Sequence, residues 1–145
     1  MNTIIKVADD IKSFVENHSV FESFLFDDIS HYPKIDNDIR YPLLFLSPSA
    51  LVLSQNNQVI YNCELIISDI VDDIRTYTEV SNECSLLSQE FLTYFDENND
   101  SFYYYIQPLG DFTFFPNGFD KSAGVYGRIN IITPFNYCSN TIRMK

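Results

Sequence analysis

Four large apolar residues stand in a row at Leu43-Leu44-Phe45-Leu46, between Pro42 and Pro48. Neighbouring side chains of an extended chain point to opposite faces, so this run has to be covered on both sides, as an internal strand of a sheet is. A chain built around it needs a sheet with material on each face at that point. Pro48 is expected to limit the strand, because proline supplies no N–H to a ladder. The run is also the densest apolar stretch present, far short of the roughly 18 residues that a membrane span requires.

The flanking patterns supply the rest of the architecture. Ile4, Val7, Ala8, Ile11, Phe14, Val15 and His18 recur at steps of three and four, which predicts an amphipathic helix from residue 3 to about 17. Phe21 to Asp28 reads as a short strand and 29 to 40 as a loop. Leu51-Val52-Leu53 and Val59 to Ser68 flank Gln55-Asn56-Asn57-Gln58, a pair of strands around residues that tolerate the positive φ of a hairpin turn. In the second strand Val59, Tyr61, Cys63, Leu65 and Ile67 share a buried face opposite Asn62, Glu64 and Ser68. Thr76-Tyr77-Thr78-Glu79 fits a capping box ahead of a helix from about 78 to 95, with Val80, Cys84, Leu87, Phe91, Tyr94 and Phe95 on one stripe. Asp96 to Asp100 forms a polar loop, and three further strands are expected over Phe102–Ile106, Phe112–Phe115 and Val125–Thr133. The order helix, strands, helix, strands predicts an α+β fold with a mostly antiparallel sheet and two helices packed on one face. At 145 residues this is one domain over 1–137, followed by a tail at 138–145 that carries Arg143 and Lys145 and is expected to be ordered by a partner.

Composition narrows the function classes. Hydrophobic residues make up 46% and aromatics 16%, with only 4 Gly and 6 Pro, which excludes a collagenous or low-complexity chain. A formal charge of -11 argues against a protein that grips nucleic acid by counterion release. Cys63, Cys84 and Cys138 contain no close pair, so neither a disulfide framework nor a zinc knuckle is encoded. The first ten residues lack the apolar core of a signal peptide, and synthesis in a reducing cytoplasm without membrane attachment is the expectation. Asn17-His18-Ser19 and Asn99-Asp100-Ser101 are then chance matches to a glycosylation pattern.

Candidate chemistry is sparse. His18 lies at the apolar edge of the first helix and His31 beside a loop proline, neither in a catalytic motif. Gly110, Gly118, Gly124 and Gly127 fall between strands instead of opening a helix, which leaves a phosphate loop unsupported. Asp96, Asn98 and Asp100 alternate as in a calcium loop, but Ser101 and Gln107 stand where its Gly and closing Glu belong. Asp69, Asp72 and Asp73 suit a divalent ion or an acid/base pair, and suit better the capping of the helix that follows. Phe102-Tyr103-Tyr104-Tyr105 has the aromatics of a base-stacking platform, yet no Lys or Arg and eight acids occur from Thr76 to Asp120. Neither a catalytic residue, a cofactor nor a metal is expected.

The succession Tyr41-Pro42-Leu43-Leu44-Phe45-Leu46, a hairpin, Tyr61-Asn62-Cys63-Glu64-Leu65-Ile66-Ile67-Ser68-Asp69 and a helix from near Glu79 resembles the tail-completion and neck ring proteins of tailed bacteriophages. Asp120-Lys121-Ser122-Ala123-Gly124-Val125 and Asn136-Tyr137-Cys138 look like versions from phages of Bacteroidetes hosts, the crAss-like phages among them. The resemblance implies a virion protein without catalysis, a subunit of a homomeric ring that joins head and tail. The ring would contact other neck, portal-proximal or tail proteins, and DNA would pass through it non-specifically. On that reading Pro108 to Gly118 is an extended hairpin or long loop, and Phe112, Phe114, Phe115, Phe119 and Arg143 are interface residues; the alternative, that the three phenylalanines of 112–115 fill the core, stays open. Asp96, Glu97 and Asp100, then Asp36 and Asp38, are the expected channel-facing acids, since a negative wall lets DNA slide without being held. An acidic binding module, such as a DNA mimic or an immunity-type partner, is the alternative of a different class, and a metal-dependent enzyme using Asp69, Asp72 or Asp73 the third.

Overall fold

The computed structural model describes residues 3–32, 39–54, 57–116, 121–134 and 144–145. Helix α1 (Ile4–Asn17) begins at Thr3, whose Oγ1 accepts from the Lys6 N–H at 3.3 Å, and buries Val7, Ala8, Ile11, Phe14 and Val15. A helix this short is marginal in water, and it is the burial of that stripe, at about 1.5–3 kcal/mol per large side chain, that holds it in place. Strand β1 (Ser23–Phe26) and a 3-10 turn (Ile29–His31) lead to β2 (Leu43–Ser54) and β3 (Gln58–Ile70). Helix α2 (Tyr77–Glu97) and the short α3 (Asn99–Phe102) precede β4 (Tyr105–Phe115) and β5 (Ser122–Pro134). Thr76 caps α2, forming its own half of the predicted capping box: Oγ1 accepts from the Glu79 N–H at 3.3 Å, and the hydroxyl donates to Glu79 Oε1 at 3.2 Å.

The fold is α+β, with five strands in the order β1-β2-β3-β5-β4. The expectation of a mostly antiparallel sheet is corrected to a mixed one: β1 runs parallel to β2, while β2–β3, β3–β5 and β4–β5 are antiparallel. Three helices replace the expected two, because the polar stretch after α2 turns once more as α3. The order is accordingly met only in part. Phe102 closes α3, and Tyr103 takes a left-handed conformation (φ 62°) that reverses the chain, so the strand predicted from Phe102 starts at Tyr105. One edge strand, β4, spans two of the predicted strands, with a register shift between Leu109 and Thr113 and Gly110 at φ 74°. Pro48 does not end β2 either. The strand continues to Ser54 through an irregularity between Pro48 and Ala50, the kind of place where a sheet tolerates proline.

One sheet face carries the main core. Leu44, Leu46, Cys63, Leu65, Ile67, Val125, Ile129 and Ile131 meet Val7, Ile11 and Phe14 of α1 and Val80, Cys84, Leu87, Phe91 and Phe95 of α2. The other face has a smaller core of Leu43, Phe45 and Ile66 under Leu25, Tyr32, Ile39, Tyr41, Phe115 and Tyr126. Leu43 to Leu46 are thus wholly buried from both sides, as their sequence requires. The Tyr32 hydroxyl donates to Ser68 Oγ at 2.9 Å and fastens this cover to β3.

Candidate functional site

Strand β1 covers only Leu43 to Leu46 of β2. From Ala50 onward β2 is the outer strand, and there Leu51 is 57%, Val52 43% and Leu53 69% exposed. Their inner neighbours are Tyr61, Ile60 and Val59, so Leu51 and Leu53 project on the helix side and Val52 on the other. Among the described residues no strand pairs with this edge, and three consecutive apolar side chains on such an edge make a template for pairing with another strand. The opposite edge is β4, where Tyr105, Leu109 and Phe114 are exposed. Pro108 lies within it, and proline is confined to edges or bulges because it breaks a ladder.

The three phenylalanines of 112–115 do not share one surface, and the described part of the segment expected to be an extended hairpin or long loop pairs with β5 as strand β4. Phe112 packs against the main core, its ring filling the space left by Gly127, and Phe115 joins the smaller core on the other face. Phe114 alone is exposed, at 51%. Phe119 and Arg143 lie outside the described residues, as do Asp36, Asp38 and most of the 138–145 tail.

Asp96, Glu97 and Asp100 are exposed at the end where α2 gives way to α3. Asp100 shares a cleft of about 520 Å³ with Asn57, Tyr103, Tyr105 and Ile132, beside the β2–β3 hairpin. No ion pair engages these three acids among the described residues. The last turn of α2 has no basic residue, so its acids stand at the negative end of the helix dipole, a locally unfavourable placement.

The acids before α2 serve the fold. Asp69 is buried and ion-paired with Arg75 Nη1. Asp72 Oδ1 accepts from the N–H groups of Arg75 and Ile74 at 2.7 and 2.8 Å, bonds that hold its carboxyl below the usual range. Asp73 is exposed, and among the described residues no three His, Cys, Asp or Glu side chains converge on a metal-sized site. His18 is structural: Nδ1 accepts from Val20 and Phe21 N–H at 3.0 and 3.3 Å, which leaves Nε2 3.6 Å from Glu90. His31 is paired with Asp27, whose carboxyl this hydrogen bond holds low. The aromatic run is dispersed, with Phe102 and Tyr104 stacked in the core beside Phe95 and with Tyr103 and Tyr105 outside.

Sequence reasoning missed Leu51, Val52 and Leu53. Alternation did not mark them: Leu51 and Leu53 lie opposite Tyr61 and Val59, on the side where β3 was expected to be buried, and β3 itself is buried on both faces from Leu65 to Asp69. No protein-family model matches the chain, and no curated protein matches it significantly.

Proposed function

We propose that this protein is a structural subunit that assembles into a homomeric ring, in the neck or tail of a tailed phage, around the passage for DNA. The observation that carries the assembly reading is the pair of apolar free edges, Leu51–Leu53 on β2 and the Leu109–Phe114 region on β4, at opposite sides of one sheet. Pairing of one edge with the other is head to tail, and head-to-tail contacts close into rings when the rotation allows. The resemblance to tail-completion and neck ring proteins supplies the virion context, the neighbouring rings and the absence of catalysis. Asp96, Glu97 and Asp100 suit a surface that repels phosphate.

An acidic binding module is the second reading, favoured by the net charge of -11 and by the base-free stretch from Thr76 to Asp120. Mass measurement by light scattering over a concentration series, with negative-stain images, separates the two. Closed particles of uniform size support the ring. A chain that stays monomeric at high concentration, and also with the particle components that flank a neck, removes it; tight capture of a basic protein by that monomer establishes the module.

A further inference from the structure

We propose that the groove between α1 and α2 receives the basic end, Arg143-Met144-Lys145, of a second copy of this chain. The groove has a volume of about 640 Å³, with Phe14, Tyr94 and Leu86 as its apolar lining and Glu90 and Glu97 on the α2 side. The rings of Phe14 and Tyr94 lie 4.8 Å apart, which makes a firm aromatic floor. Glu90 and Glu97 are seven residues apart on one helix, about 10.5 Å along its axis. Helix α2 has no Lys or Arg to set beside them, and His18 of α1, which also lines the groove, brings its Nε2 to 3.6 Å from Glu90.

The occupant follows from where the cations are. Of nine Lys and Arg, Lys6, Lys12 and Arg75 are engaged by Asp10, Glu16 and Asp69, and two others stand in the final three residues, on either side of a methionine. Two positive charges flanking one flexible, polarisable side chain complement two carboxylates beside an aromatic floor. Strand β5 ends at Pro134, in the same cleft as Asn99 and Asp100 just beyond α2, so the chain leaves the sheet at the Glu97 end of the groove. The eleven residues from there to Lys145 span at most about 40 Å. Met144 is 84% and Leu86 of the groove 47% exposed, so among the described residues neither is covered within one copy. The choice of a second copy rests on the self-assembly proposed above; the complementarity of groove and end does not.

The test uses full-length chains carrying Glu90→Lys/Glu97→Lys or Arg143→Glu/Lys145→Glu. Each variant alone is expected to self-associate at least tenfold more weakly than the parent. An equimolar mixture of the two, in which one partner keeps its groove and the other its end, is expected to recover association. Unchanged association in both variants, or no recovery on mixing, overturns the proposal. Recovery confined to a single chain that carries all four reversals assigns the end to its own groove and overturns the second copy. If the parent chain is monomeric, a fluorescein-labelled peptide of residues 139–145 titrated with it still decides: anisotropy that rises with the parent and not with Glu90→Lys/Glu97→Lys supports the groove, and no rise overturns it. Failure of the edge-pairing reading is thereby distinguishable from failure of this one.

Discussion

The phenol of Tyr104 donates a 2.9 Å hydrogen bond to Oδ2 of Asp10, 94 positions earlier in the chain. Oδ1 of the same carboxylate takes Lys6 Nζ at 2.5 Å, so one acid ties α1 to the start of β4. Tyr104 is buried against Phe95 and Phe102, and burial together with the Asp10 bond pushes its phenol well above the usual range. Tyr104→Phe keeps the packing and takes from Asp10 Oδ2 its phenol partner, while Lys6 still holds Oδ1. It is expected to cost about 1.5–3 kcal/mol, the range for hydrogen bonds to charged groups, in urea titrations with an unchanged slope. Asp10→Asn, which retains an acceptor, is expected to cost less.

Gly124 and Gly127 differ in what a methyl group would strike. At Gly127 a Cβ would lie 2.2 Å from the Phe112 ring, and at Gly124 2.0 Å from the backbone oxygen of Ile67. A side chain can move aside; a strand backbone held in a ladder cannot. Gly127→Ala is expected to lose about 1–3 kcal/mol, in part regained on adding Phe112→Leu. Gly124→Ala is expected to lose more, with no second-site relief from Phe112. The order of melting temperatures checks both statements.

Cys63 and Cys84 are wholly buried, and burial pushes each thiol from an ordinary value of 9.0 up to about 12. In a Cys138→Ser background, neither is expected to react with a thiol reagent at pH 8 until urea unfolds the chain. Above pH 9 the unfolded chain loses protons that the folded one retains. Stability therefore falls as pH rises toward 12, by up to about 1.4 kcal/mol per pH unit for each thiol. Urea midpoints measured from pH 8 to 10.5 are expected to decline, and less steeply when Cys84 is replaced by Ala.

Phe112, Phe114 and Phe115 occupy three different surroundings within four residues, and variants that remove each ring are expected to separate accordingly. Phe112→Ala and Phe115→Ala each lower stability by about 1–3 kcal/mol, less than for a fully buried ring. Phe114→Ser stays within about 0.5 kcal/mol of the parent and weakens self-association, as does Leu51→Lys/Leu53→Lys on the opposite edge. Thermal melts read the first effect and light scattering the second.

Elements specified by neighbours along the chain were legible before any coordinates. The α1 stripe, the Thr76 cap and the buried alternation of β3 each depend on spacing that a single helix or strand imposes. What escaped depends on partners far away. Nothing near Ser23–Phe26 tells whether that strand pairs parallel or antiparallel with Leu43–Leu46, because direction is decided by the path between them. Aromatic side chains from 102 to 105 looked like one strand, yet Tyr103 reverses the chain there. Gly110 resembled a loop breaker and is instead a bulge inside β4. The acids at 96, 97 and 100 were legible as exposed, whereas the exposed edge at Leu51–Leu53 depends on how short β1 is.

The strand order also sets a schedule. Residues 122–134, synthesised after the other four strands, stand between β3 and β4, and their partners in β3 lie 52 to 76 positions earlier in the chain. Until they arrive, β3 has one neighbour and β4 has none. Pairing over such separations is slow, because chain entropy is lost before contacts compensate for it. The sheet, with both of its outer edges, is therefore completed only after residue 134 has left the ribosome, and half-made chains cannot display the two edges together.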